Sequence, residues 1–87
     1  MRLEYHRDFA KQYKKLGTRD RDAVDAAILK FADNPLDPSL RNHDLAGKLA
    51  GYRSISAGFD LRVLFKEKDG YALVLFLKVG SHSQLYG

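Results

Sequence analysis

The 87 residues include no cysteine. A disulfide-stapled fold is excluded, and no thiolate can serve as nucleophile or metal ligand. No apolar run approaches the ~20 residues that a membrane-spanning helix needs. The opening MRLEYHRDF has no secretory apolar region, so a cytoplasmic protein is expected. A glycine-rich phosphate loop, a serine nucleophile elbow and a dinucleotide fingerprint are all missing. The three histidines, at 6, 43 and 82, lack metal-ligand spacing. We expect neither metal nor cofactor.

What is present suits a small folded domain. The hydrophobic fraction of 45% argues against general disorder. A chain of this size buries roughly 60 to 65% of its unfolded surface, so its apolar stripes must all meet in one thin core. The net charge is +4, and it is unevenly spread. Residues 1–40 hold eight Lys/Arg against seven Asp/Glu, whereas residues 41–87 hold seven against four. The basic excess lies in the second half, which points to a polyanionic partner.

Periodicity divides the chain into elements. MRLEYH alternates as a first strand. Phe9, Tyr13 and Leu16 form the stripe of a short helix that Gly17 stops. Thr18 is placed to cap a second helix, whose apolar face is Val24, Ala27, Ile28 and Phe31 and whose end is Asn34-Pro35. Residues 35–49 read as a long connection, a common place for function. Three strands follow, at Tyr52–Ala57, Leu61–Lys66 and Tyr71–Val79, with Asp69-Gly70 as the last hairpin turn. The expected fold is α+β, one domain over residues 1–87 in the order β-α-α-β-β-β. A helical hairpin covers one face of a mostly antiparallel four-stranded sheet and leaves the other face open.

The second half also carries the candidate chemistry. His82 follows Gly80 at the end of the most apolar strand, and an imidazole exchanges protons near neutral pH. It reads either as a general acid or base or as an exposed tail residue. Tyr86 either stacks on a base or pins the terminus to the core. Arg62 projects from mid-strand, where its forked guanidinium suits a phosphate; a surface ion pair with Asp60 or Glu67 is the alternative. Lys78 interrupts the run LVLFLKV. Counting by twos groups it with Phe76 and Val74, and if that face is the open one it converges with Arg62. Arg53 would add a third cation, and such a cluster would stabilise a phosphorane-like transition state. Scattered solvated charges are the plainer account. His43, in the long connection, is a second proton-transfer candidate, and Asp60 could orient a histidine. His6 is given no chemistry.

Three motifs occur in order: L-x-G-x-x-x-G-Y-R from Leu45, D-x-R-V-L-F from Asp60, and V-G-S-H-S-x-L-Y from Val79. Together they resemble the RelE/ParE superfamily of bacterial toxins, and the closing GSHSQLY resembles its YafQ branch. The likeness runs the length of the chain. It implies a metal-independent, ribosome-dependent mRNA endoribonuclease that is neutralised by a cognate antitoxin. In that chemistry the 2′-hydroxyl attacks the adjacent phosphate, a base takes its proton and an acid protonates the 5′-oxygen. The resemblance places His43, Asp60 and His82 at functional positions. Tyr86 falls where an aromatic is expected, Lys78 where an arginine is usual, and Arg62 on the strand arginine of RelE-like members. Ser56 stands where another histidine is often found, and Leu61 where a tryptophan is. The alternative within the superfamily is a ParE-like toxin that poisons DNA gyrase without cutting RNA.

Overall fold

The computed structural model of the protein describes residues 1–86; Gly87 lies outside the described residues. The strands are β1 (Arg2–Tyr5), β2 (His43–Asp44), β3 (Arg53–Ala57), β4 (Leu61–Lys68) and β5 (Leu73–Ser81). The helices are α1 (Arg7–Lys15), α2 (Thr18–Asp33) and α3 (His82–Tyr86). The sheet runs β1-β5-β4-β3-β2, with β1 parallel to β5 and every other pair antiparallel. The α+β expectation holds, with a fifth strand added. That strand is the two-residue β2, which pairs His43 with Ser54 and Asp44 with Arg53. Two residues show no periodicity, so only the partner strand reveals them.

Local chemistry shapes the helices. The His6 ring caps α1, its Nδ1 accepting from the amide of Asp8 at 3.0 Å. The cap expected of Thr18 does not form. Gly17 is the capping residue of α2, and Thr18 begins the helix itself. Asp20 still sits in the first turn, at the positive end of the helix dipole.

Both long helices cover one side of the sheet. Phe9, Val24, Ala27 and Phe31 pack there on Ile55, Val63, Phe65, Val74 and Phe76. Phe31, Phe65 and Phe76 meet edge-on, with centroid separations of 5.0, 5.6 and 6.1 Å, an arrangement that matches positive ring edges to negative faces. Beyond the end of β1, Gln12 of α1 takes over its pairing role. Its Oε1 accepts the amide of Val79 at 2.9 Å.

The opposite side carries two cross-strand rows, Ser54–Leu64–Lys78 and Ser56–Arg62–Gly80. It is less open than the sequence suggests, because Leu64 is only 3% exposed. Leu64 and Lys78 line a small groove together with Leu49, Tyr52 and Leu85. A bulge at Leu64/Phe65 lets Phe65 pair with Phe76 and Leu64 with Lys78, which leaves Leu77 as the extra residue. Counting by twos therefore fails across Leu77. Phe76 and Val74 are core residues under the helices, while Lys78 projects from the other side.

The last turn is also longer than Asp69-Gly70. Asp69, Gly70 and Tyr71 all have positive φ, and the amide of Ala72 closes on the carbonyl of Asp69 at 3.3 Å. No helix among the described residues is long and apolar enough to cross a membrane.

Candidate active site

A cleft of about 460 Å³ opens on the sheet side away from α1 and α2. Its floor is Ser56 and Arg62, directly paired across β3 and β4. One wall is Arg41, His43 and Leu45, from the chain around β2. The other wall is α3, which contributes His82 and Tyr86. Two guanidinium-bearing residues and two imidazoles line this cleft, and among the described residues no carboxylate side chain does. Such a lining favours an anion.

Each candidate is oriented by its own contacts. His43 Nδ1 lies 2.7 Å from the carbonyl oxygen of Arg41. A carbonyl oxygen only accepts, so Nδ1 carries the hydrogen, and Nε2 of the neutral ring keeps its lone pair. Arg62 donates from Nη1 to the carbonyl of Leu61 at 2.9 Å. The ion pair with Asp60 or Glu67 does not form among the described residues. The fork of Arg62 therefore keeps donors for a ligand. The rings of His82 and Tyr86 meet edge-to-face, 4.5 Å between centroids.

The opening of α3 is built into the sequence at SHSQ. Ser81 Oγ accepts the amide of Gln84 at 3.2 Å, and Gln84 Oε1 accepts the amide of Ser81 at 2.8 Å. This reciprocal pair is a capping box, and it makes His82 the first residue of the helix.

Three of the sequence candidates stand elsewhere. Arg53 pairs with Phe65, so its side chain leaves the sheet on the core side. There Nε donates to Asn42 Oδ1 at 2.8 Å and Nη1 bonds Asp44 Oδ1. Asn42 in turn donates to the Tyr71 hydroxyl and the Pro35 carbonyl, both at 3.0 Å. Arg53 thus ties the long connection to the sheet, and no triple cation cluster forms. Asp60 lines a different depression at the β3–β4 turn, beside Arg19 and Phe59. Lys78 shares the face of Arg62 but opens into the neighbouring groove. Conversely, Arg41 lines the cleft without having been a sequence candidate. It lies outside β2, in a left-handed turn that no periodicity signals, and only the fold brings it beside His43.

A family model described as "Bacterial toxin of type II toxin-antitoxin system, YafQ" matches residues 1–87. The chain belongs to the YafQ family of toxins. Solved structures agree. YafQ from E. coli strain BL21(DE3) is 26% identical, with both chains covered in full and a TM-score of 0.83. The E. coli DinJ–YafQ complex matches at 26% identity over 100% of each chain, with a TM-score of 0.80. The toxin–antitoxin complex RelBE2 from Mycobacterium tuberculosis is 26% identical over 93% of this chain and 96% of that one, with a TM-score of 0.65. No curated protein sequence matches the chain. For this YafQ-family toxin, the RelE-like α+β fold expected from the motifs is the observed one. The motif residues themselves divide, since His43, Arg62, His82 and Tyr86 share the cleft while Asp60 and Lys78 do not.

Proposed function

We propose that this toxin is a ribosome-dependent mRNA endoribonuclease that acts without a metal ion. One observation carries the reading: two imidazoles and a guanidinium with spare donors face a single cleft. His43 Nε2 takes the proton of a 2′-hydroxyl. The freed oxygen attacks the adjacent phosphorus, the bond from phosphorus to the 5′-oxygen breaks, and His82 gives that oxygen its proton. The products are a 2′,3′-cyclic phosphate and a 5′-hydroxyl. Arg62 stabilises the charge that builds on the phosphoryl oxygens. Tyr86 and Lys78 contact the flanking RNA, while Arg53 holds the wall in place. Asp60 is given no step. The whole of residues 1–87 acts as one toxin domain.

The same reading supplies a partner. Three of the similar structures are complexes of toxin with antitoxin. A cognate antitoxin with an acidic segment that orders on binding would suit the cationic cleft and block the face bearing Arg62.

The deciding experiment incubates purified toxin with mRNA-programmed ribosomes in the presence of EDTA. Gyrase supercoiling is measured in parallel. Cleavage at discrete sites, absent without ribosomes, is the expected result. Intact mRNA together with inhibited supercoiling would replace this reading with the gyrase-poisoning one.

A further inference from the structure

We infer that Gly80, Ser81 and Gln84 form a positioning device that folds α3 and sets the His82 ring into the cleft. This rests on the endoribonuclease reading for the role of His82. A five-residue helix has little stability of its own, because isolated helices below ~12–15 residues are marginal in water. Something outside its own backbone must hold it. The capping box satisfies two orphan amides reciprocally, at 2.8 and 3.2 Å. Ser83 adds a hydroxyl contact to Ser81 at 3.3 Å.

Gly80 makes room for the box. A Cβ at that position would stand 2.9 Å from Gln84 Oε1 and 3.4 Å from Gln84 Cβ. Gly80 does not have a left-handed backbone, so its requirement is space for Gln84. With α3 folded, Leu85 lines the neighbouring groove beside Leu64 and Leu77, and Tyr86 reaches back to the His82 ring. The glutamine and glycine thus act through His82 without touching the reacting atoms.

The test compares Gln84→Ala, which removes one arm of the box, with Gln84→Glu, which keeps an acceptor there. In the free toxin, proton NMR should show His82 ring signals displaced by the Tyr86 ring. Those signals should move toward random-coil positions in Gln84→Ala and return in Gln84→Glu. On programmed ribosomes, Gln84→Ala should lower kcat ~2–30-fold, the range that loss of a cap imposes on a helix–coil equilibrium. KM and Tm should stay close to wild type, and Gln84→Glu should restore kcat. Ring signals unmoved in Gln84→Ala would overturn the inference, as would displaced signals with unchanged kcat. An active His82→Ala toxin would overturn the role of His82 itself, while the ring signals still judge the device.

Discussion

Arg53 and Arg62 belong to adjacent antiparallel strands yet leave the sheet on opposite sides, because one pairs with Phe65 and the other with Ser56. The first ends in a polar network with Asn42 and Asp44, the second in a cationic cleft. This relationship separates stability from activity. Arg53→Ala should cost about 1–3 kcal/mol, since it leaves the part-buried Asn42 short of a donor. Little of that comes from the ion pair, because Asp44 is 82% exposed. Urea denaturation measures the loss. Arg62→Ala should leave the denaturation curve in place and lower mRNA cleavage about 10²–10³-fold, the scale of a lost transition-state donor.

The two histidines should fail differently. Each substitution to alanine is expected to lower cleavage ~10²–10⁴-fold, the ordinary worth of general acid–base catalysis. A base must be neutral and an acid protonated. His43→Ala should therefore abolish the rise of rate with pH on the acidic side, and His82→Ala the fall on the alkaline side. Single-turnover rates across pH 5 to about 9 give both limbs. Loss of the alkaline limb in His43→Ala would reverse the assignment.

Asp37 offers a pH test of the fold away from the cleft. The hydroxyl and amide of Ser39 both donate to it, at 2.7 and 2.9 Å, and hold its carboxyl below the ordinary aspartate value. In the relevant window the unfolded chain binds the proton more readily, so acidification favours unfolding. The contribution is present at neutral pH and disappears as pH falls through the folded value. The Tm difference between wild type and Asp37→Ala should therefore narrow on acidification and level off once both states are protonated.

The aromatic cluster is the most sensitive part of the core. Phe31, Phe65 and Phe76 are completely buried. Phe31→Ala should destabilise by about 3–5 kcal/mol through lost transfer energy and the cavity left behind. For a domain this small, that approaches the whole of its stability, so low expression yield and a non-cooperative melt are the expected readouts.

Much of the site was legible as residue types. The motif GSHSQLY carried His82 and Tyr86, the strand Leu61–Lys66 carried Arg62, and RNHD carried His43. The S-x-x-Q capping box at Ser81 and Gln84 was not anticipated, although its signal is local. The grouping of Lys78 with Phe76 and Val74 fails for another reason. The alternation rule holds only until a bulge, and the bulge becomes visible only when Leu64 and Phe65 are aligned with their partners across β5. Asp60 as a partner for a histidine and Arg53 as a third cation both fit by residue type, yet Asp60 lies at the β3–β4 turn and Arg53 leaves the sheet on the other side.

From sequence alone came the order of β1, α1, α2 and the three long strands, the apolar faces of α1 and α2, and the inventory of groups able to move a proton or bind a phosphate. Each depends on neighbours within a turn or two of helix or strand, so local periodicity is enough to state it. Tertiary structure decided which cations share a side, that residues 43 and 44 pair as a strand, and that α3 places His82 in the same cleft as Arg62. Those outcomes depend on register between strands distant in the chain, where a shift of one residue exchanges the two sides of the sheet.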